Sequence, residues 1–302
     1  MRKVLIEELL NYKNQDFLFM VGDVGYRVIE PLKENFPDKY LNTGVNEQFM
    51  ASFAAGVAKL KPCFIYSIAN FSTLRCLEQI RNDICLHDVP VCIVSVGGGF
   101  GYGALGPSHH NLEDIACLGS LPNLTVLSPS SRCEVKKSVE HFFLNKKPTY
   151  LRLSSLSEEC EVNDKKNLNV YSNYFNKTKN NKILVLSSGF LLSTIFSIIQ
   201  KEKLNDIIDL CSICNLSKKS IEMLNIGKYQ KIISFDEAVY AGSISSHLNK
   251  YLIDNQIQTQ IESFFVGDYS RIPGGDAEYY RDFFGLSHAK IYNVLKETIN
   301  IK

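Results

Sequence analysis

The sequence predicts an α/β protein of two domains, each a mainly parallel sheet flanked by helices. Three features carry this prediction. Short β-rich apolar runs alternate with helical patterns through the first half of the chain. A tract from about Ser157 to Asn181, rich in Asn, Lys, Glu and Ser, has no periodicity. Beyond it the alternation resumes. Strand–helix alternation requires crossover connections and hence parallel pairing, and a polar aperiodic tract is the composition of a linker. The expected organisation is a first domain over 1–156, a linker over 157–181 and a second domain over 182–302.

In chain order, 17–21, 63–66, 91–96, 124–127 and 149–153 are short apolar runs of strand length. Between them, 50–60 and 71–86 carry helical spacing. In the second unit, 183–186 is a buried strand, and Leu191, Ile195, Ile198 and Ile199 form a helical stripe. Strands follow at 232–235 and 261–266, and Ile291, Val294 and Leu295 give the last helix its apolar face. No internal repeat is visible. Ligand sites in such sheets gather at the carboxyl ends of strands. Glu47, Phe71 and Gly97 all fall near such an end or at the start of the next helix.

A chain of 302 residues is long enough for two ordinary cores. Its net charge of +1, with Lys and Arg scattered, gives no electrostatic footprint for nucleic acid or an anionic membrane. Met1-Arg2-Lys3 resembles a secretory start, but Glu7, Glu8 and Asn11 interrupt the apolar run, and no later stretch reaches about 18 apolar residues. A cytoplasmic protein is expected. The nine cysteines stand mostly alone in apolar segments, as Cys63, Cys85, Cys92 and Cys117 do, so they read as reduced core residues. Cys211 and Cys214 lack a second pair at metal-ligand spacing, and no metal site is expected on this chain.

The most informative segment is Thr43-Gly44-Val45-Asn46-Glu47-Gln48, followed by the small-residue run Ala51 to Ala58. A helix flanked by Ala, Gly and Ser packs closely, which would shield Glu47 in its first turn. Burying that carboxylate costs several kcal/mol unless it is hydrogen-bonded, and a helix N-terminus offsets only about 0.3–1 kcal/mol. A ligand could supply the rest; the plainer reading is a glutamate that complements the helix dipole after a Gly44 cap. Phe71, beside Asn70, would by itself be a core aromatic. His109 lies in a Gly-Pro-Ser loop, where an imidazole can exchange protons or simply cap a turn. Asp23 ends a strand in a Gly-Asp turn. The run Gly97 to Gly103 fails the spacing of a dinucleotide fingerprint, since Leu-Gly-Pro follows it in place of a helix. It reads as a flexible loop over the active site.

Several segments then occur in a telling order. They are Gly44 to Ala58, Ala69-Asn70-Phe71 with Gln79-Ile80-Arg81-Asn82, Gly106-Pro107-Ser108-His109-His110 through Glu113-Asp114, and Pro122-Asn123-Leu124-Thr125-Val126 with Pro129. Together they resemble the pyrimidine-binding domain of transketolase. Phe235-Asp236-Glu237 to Gly242 and the Gly285-Leu286 ending resemble the C-terminal domain of the same superfamily, so the likeness covers nearly the whole chain. The resemblance implies thiamine diphosphate as cofactor, with Glu47 hydrogen-bonded to a ring nitrogen of its aminopyrimidine. That bond favours the tautomer able to take the proton from the thiazolium carbon, which makes Glu47 an acid/base acting through the cofactor. Phe71 would stack on the pyrimidine, with Tyr66 as a fallback. Ile68 and Leu74 would complete the pocket, and Asp23 would support it. His109 would be the acid/base of the sugar steps, joined at the substrate by His110, Arg152 and Gly97.

Departures from the family pattern bear on the substrate. Transketolases carry a His at the position of Gly97, an Asp at Leu105 and a phosphate-binding Arg near Ser155, none of which is present. Fewer charge-assisted contacts to a phosphate suggest a differently anchored acceptor, for instance a nucleotide-linked keto sugar, with Arg152 available to compensate. The family's Gly-Asp-Gly motif for Mg²⁺ and diphosphate is reduced here to Gly22-Asp23-Val24, and the pyrimidine-domain likeness begins near the start of the sequence, so the diphosphate-binding half is expected on a separate chain. The expectation is therefore the C-terminal subunit of a split transketolase. An N-terminal subunit would hold Mg²⁺ and the diphosphate, the assembly would be a heterotetramer of two copies each, and the reaction would pass a two-carbon ketol unit between sugars. The beta subunit of a 2-oxo acid dehydrogenase and a non-catalytic partner-binding subunit are the alternatives.

Overall fold

The eight apolar runs named above all form strands, and among the described residues three further strands, Tyr40–Asn42, Ser172–Asn176 and Ile208–Ile213, join them. The computed structural model describes residues 1–154 and 168–300. Six strands, β1 (Leu18–Val21), β2 (Tyr40–Asn42), β3 (Cys63–Ile68), β4 (Val91–Val96), β5 (Thr125–Leu127) and β6 (Thr149–Leu153), make one sheet in the order β2-β1-β3-β4-β6-β5. Every pairing in it is parallel. β4 is buried at all of its positions. That explains why it reads as a continuous apolar run: helices cover both faces of a parallel sheet. Phe142 and Phe143 of the Arg132–Asn145 helix pack on Phe64 and fill one face. Met50, Ala51 and Ala54 of the Glu47–Val57 helix fill the other, together with Ile80 and Ile84.

The second sheet comprises β7 (Ser172–Asn176), β8 (Ile183–Ser187), β9 (Ile208–Ile213), β10 (Lys231–Val239) and β11 (Gln260–Val266), in the order β11-β10-β8-β9-β7. It is parallel except that β7 runs antiparallel to β9. The fold class is as predicted, and two local readings change. β7 lies within the tract read as a linker. It is an edge strand paired on one side only, and so has no need of a continuous apolar run. The first part of that tract, with Ser155, lies outside the described residues. The region 71–86 is not one helix: a short turn of helix at Ala69–Ser72 gives way to a 3₁₀ turn at Leu74–Cys76 and a π-helical stretch at Ile80–Cys85. The wider π turn puts Ile80, Ile84 and Cys85 all into the core.

Each sheet has a point where the direction of winding reverses. The chain goes from β1 outward to β2, then crosses back to β3 on the other side of β1, so the first switch point lies between β1 and β3. The second lies between β8 and β10. The two units are joined through main chain, with Ser128 N donating to Cys214 O, Leu216 N to Val126 O and Val239 N to Leu112 O. Among the described residues no helix is long and apolar enough to cross a membrane.

Candidate active site

Glu47 is the first residue of its helix and is 2% exposed. Its carboxylate lies at the first switch point, where Ser67 Oγ, from β3, donates to Oε1 at 3.1 Å. Arg75 Nη1 donates to Oε2 at 3.3 Å. Gly22, just beyond β1, makes room: a Cβ there would sit 3.2 Å from Ser67 Oγ and 3.3 Å from Glu47 Oε1. The helix shields Glu47 with one face only. Met50, Ala51, Ala54 and Ala55 point inward, whereas Phe49 and Phe53 are 51% and 38% exposed and stack on each other at 5.4 Å.

Phe71 follows the end of β3 and is half-buried. The Arg75 guanidinium lies over its ring, 4.5 Å from the centroid, and the His109 imidazole flanks it at 5.1 Å and 65°. Ile68 and Leu74, on either side in sequence, are half-buried too. Asn70 Nδ2 donates to Ser108 O at 2.8 Å, which ties the Phe71 turn to the His109 loop. Ser108 Oγ and His109 Nδ1 are 3.0 Å apart. The fold thus assembles Glu47, Phe71 and His109 from three separate segments and adds Arg75, Ser67 and Gly22 to them. Nothing local marks those last three, because each acquires its role through a contact at least twenty residues away.

The other expected residues have partners of their own. Asp23 is exposed, with φ +55°, and accepts from Asn42 Nδ2; Asn42 Oδ1 in turn accepts from Gly44 N. It braces the loop leading to Glu47. His110 is 1% exposed in a cage of Phe100, Tyr269 and Tyr280, with Nε2 on Gly103 O, and burial pushes its pKa down. Arg152 is not free for a substrate. Its Nε donates to Asp114 Oδ2 at 2.7 Å, and its Nη2 donates to Asn111 O and Glu237 O, both at 2.9 Å. Strand pairing puts that guanidinium inside, where it ties the two units together.

The glycine run is not a flexible flap. Gly97, at φ +90°, leaves no space for a Cβ, which would run into the Tyr102 ring. Gly99, at φ +69°, lies against Glu237, and Gly103 against the backbone of Ala277. These glycines are there because chains approach closely, and Gly97 packs on Tyr102. Cys211 and Cys214 are buried thiols whose pKa burial pushes well up. Among the described residues no group of three or more His, Cys, Asp or Glu gathers as metal ligands would.

Comparison with known proteins points to one family. The family described as the transketolase pyrimidine-binding domain matches residues 6–157. The 1-deoxy-D-xylulose-5-phosphate synthase of Chlamydia muridarum is 23% identical over 270 residues, covering 87% of this chain and 42% of that protein. One subunit of the apulose-4-phosphate transketolase of Phocaeicola vulgatus is 31% identical over 156 residues, half of each chain. Among solved structures, a split-gene transketolase in the form of an inactive beta4 tetramer superposes with a TM-score of 0.80 at 19% identity, covering 100% of this chain and 97% of that one. The chain spans less than half the length of the synthases it matches.

Proposed function

This chain belongs to the transketolase pyrimidine-binding domain family, and from that premise we propose that it is the C-terminal subunit of a two-component, thiamine diphosphate-dependent transketolase. The observation that carries the reading is Glu47 buried at the switch point beside the half-buried ring of Phe71, with His109 5.1 Å from that ring. These residues fit the cofactor's aminopyrimidine. Gly22 keeps space beside the carboxylate, Phe71 offers a flat apolar surface, and the partner on Oε2 is a half-exposed side chain. When bound, the cofactor supplies the carbon nucleophile that carries a two-carbon unit between sugars.

The chain's own part is positional and protonic. Glu47 holds and exchanges a proton at the pyrimidine ring nitrogen, and Ser67 fixes the orientation of its carboxyl. Phe71 supplies the stacking surface, bounded by Ile68 and Leu74. His109 exchanges a proton with a sugar hydroxyl or carbonyl, and Ser108 steadies its ring. Leu105, 57% exposed in the same loop, presents an apolar surface to the acceptor, and Arg152 is committed to Asp114. That favours an acceptor not anchored by its own phosphate, such as a nucleotide-linked keto sugar.

The partner would be an N-terminal subunit holding Mg²⁺ and the diphosphate. The outward face of the Glu47–Val57 helix suits it: Val45, Phe49 and Phe53 are exposed there, and a Cβ at Gly56 would touch nothing within 4 Å. Similarity to a split-gene enzyme, solved as an inactive tetramer of one kind of chain, and to one subunit of another transketolase supports a two-component enzyme; the assembly we propose for the active form has two copies of each chain, in the cytoplasm. The test is co-expression with a candidate subunit carrying Gly-Asp-Gly, followed by calorimetry with thiamine diphosphate and assay of two-carbon transfer from hydroxypyruvate or a ketose phosphate. Transfer by the pair and by neither chain singly is expected. Turnover by this chain unaided would overturn the reading, pyruvate decarboxylation would make it a 2-oxo acid dehydrogenase subunit, and silence in every assay with the partner bound would make it non-catalytic.

A further inference from the structure

A buried carboxylate that waits for a ligand needs something to hold until the ligand arrives. Arg75 is built for that task. Its guanidinium is planar, donates N–H groups and stacks on aromatic faces, and it makes two contacts at once: Nη1 on Glu47 Oε2 at 3.3 Å, and Cζ 4.5 Å from the Phe71 centroid. Resting on the function proposed above, those are the two contacts an aminopyrimidine would need, a hydrogen bond to Glu47 and a stack on Phe71. We propose that Arg75 is a stand-in for the pyrimidine, occupying its contacts in the free protein and swinging aside when the cofactor enters.

Three features suit a residue that leaves. The Arg75 side chain is 48% exposed, so it moves into water with little change in hydration. Its bond to Glu47 is longer than the roughly 2.7–2.9 Å of a strong charge-assisted pair. Gln48 Nε2 donates to the Arg75 carbonyl at 3.1 Å, which anchors the backbone and leaves the side chain as the moving part. The benefit is that Glu47, 2% exposed, is never left uncompensated. The cost is competition, because only the fraction of molecules with Arg75 withdrawn is ready to bind.

The test uses the full chain, since Glu47, Phe71 and Arg75 all belong to it, with 4-amino-5-hydroxymethyl-2-methylpyrimidine at millimolar concentration as the probe. Affinity is read by NMR titration, and the Arg75 Nε–H resonance reports where the guanidinium goes. Arg75→Met should tighten probe binding about tenfold by removing the competitor. Arg75→Lys, which keeps the ion pair but not the flat cover, should fall between. In the wild type the Arg75 resonance should move to that of a solvated arginine at saturation, and Glu47→Gln should abolish binding in either background. If binding depends on Glu47 but Arg75→Met leaves it unchanged or weaker, Arg75 is a permanent support, and the stand-in proposal fails while the site stands. If the probe binds neither protein, or binds regardless of Glu47, the site reading itself fails and the proposal goes with it.

Discussion

Glu47 and Glu237 are both buried carboxylates at the switch points of the two sheets, and both are paired with an arginine, yet their surroundings differ in one respect that decides what each can do. The partner of Glu47 is Arg75, half exposed and at 3.3 Å. The partner of Glu237 is Arg281, 5% exposed and in close contact with it, while Gly99 presses on the same glutamate and Arg152 Nη2 donates to its carbonyl. The second crevice is therefore filled by the first unit and works as a joint. The first keeps a removable plug. On the function proposed above, equivalent topology yields a site only where the neighbouring group is free to leave.

Matched substitutions are the most direct way to break this contrast. Glu47→Gln keeps the size and most hydrogen bonds but removes an exchangeable proton. In the assembled pair it should lower two-carbon transfer by about 10²–10⁴-fold with an unfolding midpoint close to wild type. Glu237→Gln removes the close counter-charge of the buried Arg281 guanidinium, leaving it only the exposed Glu278 at 3.9 Å, and should cost about 3 kcal/mol, the lower end for a broken buried pair. Thermal unfolding beside a rate assay checks both. If Glu47→Gln unfolds the chain while Glu237→Gln is silent, the roles of the two crevices are reversed.

The joint should also carry a pH signature. Asp236, beside Glu237, is 3% exposed, and burial pushes its pKa up to about 7, against the pull of the Ile244 amide and Arg152. A carboxyl whose folded pKa lies above its unfolded value is protonated more readily in the folded state, so stability falls as pH rises from about 4 through about 7 and stays reduced above. Asp236→Asn removes that burden. Its gain, about 2 kcal/mol at pH 8 once relaxation has trimmed the full desolvation cost, should vanish near pH 4. Urea melts of both proteins at the two pH values measure it, and an equal gain at each would remove the joint's claim to the titration.

The sequence makes some of this legible and hides the rest for definite reasons. β4 is visible because burial on both faces writes a nearly continuous apolar run, and β6 because its apolar residues dominate a short buried stretch despite Arg152. Glu47 is visible because the inward stripe of Ala51, Ala54 and Ala55 follows it within two turns. Arg75 is not, since its pairing with Glu47 spans 28 positions and a helix that breaks into 3₁₀ and π turns between Ser72 and Cys85. Arg152 invites a substrate role for the same reason: its partner, Asp114, lies 38 positions away and is chosen by the packing of β6 against the His110–Asp114 loop. A glycine run is equally ambiguous. Gly97 and Gly99 look mobile until the Tyr102 and Glu237 side chains packed against them are known. β7 escapes because an edge strand of Ser, Asn and Tyr resembles a linker until β9 pairs with it.

The glycines beside the two glutamates give the finest version of the comparison. At Gly99 a methyl group would be driven into Glu237 from a left-handed backbone, φ +69°, so Gly99→Ala should cost about 2 kcal/mol through strain and displacement of the joint. Gly22 has no such backbone constraint. Its added Cβ would meet Ser67 Oγ at 3.2 Å and Glu47 Oε1 at 3.3 Å, so each must give by only a few tenths of an ångström. Both can. The serine can turn, and the carboxylate leans on a half-exposed arginine that can follow it. Gly22→Ala should therefore change stability by less than about 1 kcal/mol, yet it shifts the one carboxyl whose position matters for a bound ring, and small misplacements of such groups are costly. The expected result is an unfolding midpoint near wild type with weakened thiamine diphosphate binding in the assembled pair, measured by calorimetry. Loss of stability without loss of affinity would mean that the first crevice is as rigid a joint as the second.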